Sequence, residues 1–174
     1  MPVDRAWLER VAKDYLERYA STEANLKRVL RRRIRKEGGD IGALDAIADD
    51  VVARLVAVGA IDDTAFVEAR VRSLLRRGKA PPAIRQALLA KGARREQIDP
   101  VLALVDDDAK LEAAARFVRR RRFGPYHDDP RVRRERRQKE LQALARAGFR
   151  YDEAARVLDL AETSLVEALL ERSA

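Results

Sequence analysis

The 174 residues carry 37 Lys+Arg against 29 Asp+Glu, a formal charge of +8 and a pI near 10.2, which selects a polyanion or an acidic protein surface as the natural partner. Hydrophobic residues make up 47% and aromatics only 5%, a balance that suits amphipathic helices built on Leu, Val, Ile and Ala and argues against an all-β fold. Cysteine is absent, which excludes a disulfide framework, a thiolate metal site and a cysteine nucleophile; with no apolar h-region and no bilayer-length apolar window, the expectation is a soluble, unprocessed cytoplasmic monomer.

Trp7, Leu8, Val11, Tyr15 and Leu16 recur at helical spacing and predict a first helix over 4–19. Ser21 is the expected N-cap of a second, with Glu23 in its first turn and Leu26, Val29, Leu30 and Ile34 as its apolar stripe. The rest of that helix is a cationic run, Lys27, Arg28, Arg31, Arg32, Arg33, Arg35 and Lys36, which ends at the glycines of "EGGDIG". Asp40 then caps a third helix carrying Leu44, Ile47, Val51, Val52, Leu55 and Val56, stopped at Gly59.

Asp62 and Asp63 fit the N-cap and first turn of a fourth helix over 64–77. Two adjacent carboxylates also invite a metal or catalytic reading, but they do not share a helix face and no His or Glu stands at ligand spacing. Phe66, Val67, Val71, Leu74 and Leu75 form the buried side, and Gly78 is the stop. Pro81 or Pro82 opens the next helix, where a missing N–H is harmless, and Gly92 closes it. A short helix with Ile98, Val101, Leu102 and Val105 is expected to begin close to Pro100. A longer helix over 108–122 runs into the loop "RRRRFGPYHDDP". The last third holds a helix to Ala147 capped by Gly148, a short helix around 154–158 and a terminal helix with Leu165, Leu169 and Leu170.

Superposing Gly92 on Gly148 aligns "LLAKGARREQIDPVLAL" (88–104) with "LARAGFRYDEAARVLDL" (144–160), and residues 21–58 follow the same plan less closely. There Ile34 stands where the cap glycine belongs, and "RKEGGDIG" reads as an insertion. Units this small bury their apolar faces by stacking, so the expected architecture is all-α, tandem three-helix repeats forming an elongated array. The expected divisions are an N-terminal helix (1–20) and repeats over 21–60, 61–106 and 107–174.

Enzyme signatures are missing: there is no GxxxxGK[ST], GxSxG or HExxH, and the sole histidine, His127, has no companion ligand. The reading is a binding protein with no catalytic residue, no metal and no cofactor.

The stretch "GAIDDTAFVEARVRSLLRRGKAPPAIRQALLAKG" (59–92) resembles the central signature of the RecX regulators of the recombinase RecA, supported by "YLERYASTEANLKRVL" (15–30) and "RRRRFGPYHDDP" with "RRQKELQALARAGFRYDEAARVLDL" (119–160). The resemblance covers roughly 7–160 and departs in the first repeat. It implies tandem three-helix repeats and a negative modulator that binds the RecA–single-stranded DNA filament and lowers its ATP hydrolysis and strand exchange, within recombination, DNA repair and the SOS response. The competing readings are a helical transcription factor or nucleoid-type protein that grips duplex DNA independently of RecA, and an adaptor whose basic face meets an acidic protein.

Residues 119–139 hold ten basic residues against three acids, the densest positive segment and one suited to phosphates. Phe123 and Tyr126 beside it either stack on unpaired bases or pack the loop. The candidate RecA- or DNA-binding residues are Arg70, Arg72, Arg76, Arg77, Lys79, Arg85, Arg119, Arg120, Arg122, Arg133 and Arg137.

Overall fold

The computed structural model describes residues 2–171 and is all-α. Among these residues the order is α1 Arg5–Leu16, α2 Glu23–Lys36, α3 Ile41–Ala57, α4 Asp63–Arg76, α5 Pro81–Ala90, α6 Arg95–Ala103, α7 Asp107–Arg121, a 3-10 turn Gly124–Tyr126, α8 Pro130–Arg146, α9 Tyr151–Leu158 and α10 Thr163–Glu171. Two compact units emerge: one holds the chain to Glu68 with Leu88–Ile98, the other Ala69–Ala87 with Asp99 onward.

In the first unit Leu8 and Ala12 of α1, Leu26, Leu30 and Ile34 of α2, and Leu44, Ala48, Val51 and Val52 of α3 form one core, closed by Ile61. Each fully buried Leu or Ile contributes on the order of 2 kcal/mol of transfer free energy, so these helices are held mainly by packing. Charge sets their facing: Arg31 pairs with Asp45 and Asp49, Lys27 with Glu23 and Asp49, and Arg5 with Asp50. The acids of α3 thus meet one side of the cationic run on α2 and leave the other outward.

In the second unit α7 packs against α9 and α10, and α8 against α9. Ala113, Ala114 and Ala115 on α7 let neighbouring backbones approach, and Phe117 stands edge-on to Phe123 and Phe149, with ring centroids 6.2 and 5.5 Å away. Glu140 is a buried carboxylate here; it accepts the Gly124 N–H at 2.8 Å and lies 2.6 Å from His127 Nε2.

One turn design recurs and confirms tandem helical repeats. The Ala93 N–H reaches Leu88 O and the Gly92 N–H reaches Leu89 O; the Phe149 N–H reaches Leu144 O and the Gly148 N–H reaches Ala145 O. Both glycines have positive φ. The first repeat follows suit, which corrects the expected insertion: the Gly39 N–H reaches Ile34 O, the Gly38 N–H reaches Arg35 O, and Gly38 has φ 72°. Ile34 is therefore the counterpart of Leu88 and Leu144, Gly38 is the cap, and the following helix starts three residues later in all three cases. The first repeat differs in having a longer second helix, α3.

Three boundaries also differ from expectation. Thr22, not Ser21, caps α2: its Oγ1 accepts the Asn25 N–H at 3.1 Å and donates to Lys91 O at 2.6 Å, a double role that Ser21, turned to Asn25 Nδ2, does not fill. Helix α1 ends at Leu16, because the Arg18 N–H turns back to Tyr15 O and tightens the last turn. Helix α6 starts at Arg95, five residues before Pro100, since Gln97 Oε1 accepts the Arg94 N–H at its entry and one proline removes only one intrahelical bond.

The acid pair is structural, and the two carboxylates serve different helices. Asp62 Oδ1 accepts the Ala65 N–H at 2.9 Å and caps α4, whereas Asp63 Oδ1 accepts the Glu23 N–H at 2.8 Å and satisfies the first amide of α2. Asp62→Ala and Asp63→Ala are each expected to lower stability by about 1 kcal/mol in urea unfolding followed by circular dichroism. The corresponding Asn variants retain the acceptor and should lose less.

A Cβ on Gly92, at φ 85°, would sit 2.8 Å from Ala24 Cβ, while one on Gly59, at φ 72°, meets nothing within 4 Å. Gly59→Ala should therefore cost about 1 kcal/mol, the left-handed backbone penalty alone. Gly92→Ala should cost distinctly more, and equal urea midpoints for the two variants would refute the role of the Ala24 contact.

Candidate nucleic-acid interface

The outer side of α4 and the turn after it carry Arg72, Arg76, Arg77 and Lys79, all exposed; among the described residues no hydrogen bond or ion pair engages their side-chain charges. Arg70 is half-buried and likewise without an ion-pair partner among the described residues. These positions are outward because Val67, Val71, Leu74 and Leu75 claim the other side of the helix. Arg72 and Arg76 border an open cleft of about 470 Å³ whose far wall carries Asp106, Asp108 and the Glu112–Arg116 ion pair.

Arg120 is brought to this group from α7: its Nη1 donates to Arg77 O at 2.7 Å and its guanidinium lies 5.5 Å from the Phe117 ring centroid. Arg122 ends α7 in the left-handed conformation, φ 58°, the one non-glycine with positive φ among the described residues, and stacks 4.9 Å from the centroid of Tyr126. Arg119 pairs with Glu167 at 2.9 Å, and the Tyr126 hydroxyl donates to the same carboxylate at 2.8 Å. The Tyr126 bond, with help from Arg119, holds Glu167 below the usual carboxylate range, while burial and that bond push the phenol up to about 12. Tyr126 is thus a neutral donor anchored to α10, and Phe123 packs edge-on against Phe117, so both aromatics of the loop pack the second unit.

The remaining candidates are fasteners. Arg85 Nε donates to Asp99 at 2.8 Å. Arg133 donates to the carbonyls of Leu158, Leu160 and Ala161, supplying partners to the orphan acceptors at the end of α9. Arg137 grips Asp159 with two bonds of 2.7 and 2.6 Å, which depresses that carboxyl and raises the guanidinium further above its already high value. The reason is legible in the spacing: Arg133 and Arg137 lie at i and i+4 on the stripe that continues through the buried Leu141 and Leu144. The other cations of α8, Arg131, Arg134, Arg136 and Lys139, are exposed.

Two groupings lie outside the sequence-based candidates. The His127–Glu140–Gly124 cluster joins residues 13 and 16 positions apart through a loop, and no periodicity announces it. The outward side of α2, Arg28, Arg32 and Arg35, does have a sequence signal, the i, i+4, i+7 spacing within the cationic run. Among the described residues, no cluster of three or more His, Asp or Glu is arranged to hold a metal ion.

Comparison with known proteins matches residues 62–102, which span α4 to α6, to a family described as RecX, second three-helix domain. A regulatory protein RecX of Myxococcus xanthus is 37% identical over 90% of this chain and 87% of its own length. One of Agrobacterium fabrum is 35% identical over 88% and 82%. A crystal structure of regulatory protein RecX superposes with a TM-score of 0.67 at 25% identity, over 90% of this chain and 72% of that one. With an all-α fold of tandem repeats and a relative of this identity along nearly its whole length, the chain belongs to the RecX family of regulatory proteins.

Proposed function

We propose that this protein is a negative modulator of RecA that binds the RecA–single-stranded DNA filament and lowers its ATP hydrolysis and strand exchange. The observation that carries the reading is the set of exposed cations on α4 and its following turn, Arg72, Arg76, Arg77 and Lys79, whose side-chain charges have no partner among the described residues, while Arg85, Arg119 and Arg137 are paired. Unpaired cations of one sign along a helix are attracted to a polyanionic filament and need no conformational change to meet it. Family membership supplies the regulatory role, and no step of the reading requires chemistry by this chain. The working form in this reading is a cytoplasmic monomer carrying repeats over 21–60, 61–106 and 107–174.

The test is RecA ATPase on single-stranded DNA titrated with this protein. Suppression is expected, and it should weaken at least tenfold in apparent affinity when Arg72, Arg76, Arg77 and Lys79 are all changed to Gln, four phosphate-facing charges being worth about three units of log–log salt slope. An unchanged ATPase rate, together with tight binding to duplex DNA, would identify a DNA-binding protein that acts independently of RecA.

Arg122→Gly separates function from stability. Glycine accepts the left-handed C-cap without strain, which offsets the lost stacking on Tyr126, so the variant should unfold at a urea concentration close to that of wild type. Loss of the guanidinium beside Tyr126 should nevertheless weaken ATPase suppression; intact suppression would remove Arg122 from the interface.

A further inference from the structure

The cationic run of α2 divides cleanly. Lys27 and Arg31 are drawn to Glu23, Asp45 and Asp49, while Arg28, Arg32 and Arg35 form a separate stripe at i, i+4 and i+7. Arg32 and Arg35 are exposed, and among the described residues neither has a hydrogen-bond or ion-pair partner. Successive stripe positions rise about 4.5 to 6 Å along the helix.

The stripe is continuous with an aromatic at one end and with a lysine beside it, through a chain of contacts inside the first unit. Tyr19 is 58% exposed, and its ring stands 5.2 Å from that of Tyr15. Tyr15 Oη accepts from Asn25 Nδ2 at 3.1 Å, Asn25 Oδ1 accepts from Arg28 Nη2 at 3.5 Å, and Arg28 Nη2 also donates to Ala90 O at 2.9 Å. The next residue, Lys91, is exposed at its side chain while its carbonyl is held by Thr22. An exposed tyrosine is therefore linked through Tyr15 and Asn25 to Arg28, the first cation of the stripe, and Arg28 in turn to the turn that carries Lys91.

We propose that this face, Tyr19 with Arg28, Arg32, Arg35 and Lys91, is a binding site for single-stranded nucleic acid, with the cations following successive phosphates and Tyr19 stacking on an unpaired base. The site deepens the filament-binding reading, whose single-stranded DNA it shares, by giving that strand a surface in the first unit, separate from α4's outer face. Charge alone would suit an acidic protein equally. The exposed tyrosine favours a strand with unstacked bases, because a ring held out in water beside phosphate-binding cations gains most from a base face.

The experiment uses the full chain without RecA and measures fluorescence anisotropy of a labelled oligothymidylate across a salt series. Changing Arg32, Arg35 and Lys91 together to Gln removes side chains whose charges have no partner among the described residues and should leave the circular dichroism spectrum unchanged. It should flatten the log–log salt slope by about 2, roughly 0.7 per phosphate contact. Tyr19→Ala should weaken binding about tenfold with the slope unchanged, Tyr19→Trp should restore it, and affinity for a duplex of the same length should not respond to Tyr19. Absence of oligothymidylate binding by the wild type, an unaltered slope in the triple variant, or equal affinity of Tyr19→Ala and wild type would each overturn the site. If the variants keep their strand affinity yet lose suppression of RecA ATPase, the face meets protein instead and the proposal fails. If the strand binds through this face while RecA is unaffected, the site stands and only the regulatory reading falls.

Discussion

The constraint on which this structure rests is the satisfaction of backbone groups at helix ends. Four of the ten helices among the described residues are only 8 to 10 residues long, and each helix end leaves orphan N–H or C=O groups. A large share of the backbone polar groups therefore lies at termini, and the fold meets them with side chains distant in sequence. Asp63 serves an amide 40 positions away at the start of α2, Thr22 serves its own helix and Lys91 O together, and Arg133 serves three carbonyls at and beyond the end of α9. These bonds are tertiary contacts as much as caps, because each fixes where a helix end lies relative to another element of the same unit.

This constraint explains how much could be read from residues alone. The helices themselves were legible, since apolar stripes at 3.6-residue spacing are local, and so was the Asp62 cap, whose acceptor and donor are three residues apart. Proline at the first position of α5 and glycine after α5 and α8 are equally local rules. The role of Asp63 was legible only as far as its helix start, because its partner amide lies across the unit. Ser21 and Thr22 are adjacent and chemically alike; Lys91 O, far away in the chain, decides between them. In the first repeat, Ile34 in the expected glycine place suggested an insertion, whereas the helix continues a further turn to its own glycine.

The same logic governs the arginines. Periodicity sorts apolar from polar positions, but it does not say which cation on the polar side will find a carboxylate once the helices pack. Arg133 and Arg137 fall at the edge of a buried stripe, and they reach the far end of α9; Arg31 falls toward α3 and meets Asp45 and Asp49. Charge density along the chain therefore overstates the charge available to a partner. What is available is the remainder after internal pairing, which lies on the outer faces of α2, α4 and α8.

Residue type follows that division. A guanidinium offers five donors in a planar fork, and the fold uses it where geometry matters: two parallel bonds from Arg137 to one carboxylate, several carbonyls on Arg133, stacking of Arg122 on Tyr126. An ammonium is a compact charge on a flexible stem and suits positions where only sign matters. Of the seven lysines, Lys13, Lys36, Lys79, Lys91 and Lys139 are exposed and, among the described residues, have no hydrogen-bond or ion-pair partner for the ammonium; Lys27 and Lys110 are the two in ion pairs. Lys79 falls in a turn beside Arg76 and Arg77, which are likewise unpartnered among the described residues, and Lys91 follows Ala90, whose carbonyl Arg28 holds at the start of the α2 stripe. The mixing of the two residue types on those faces is what a surface needs when it meets a polyanion by charge rather than by fitted hydrogen bonds, whereas the clamps that make several directed bonds at once, Arg31, Arg133 and Arg137, are arginines.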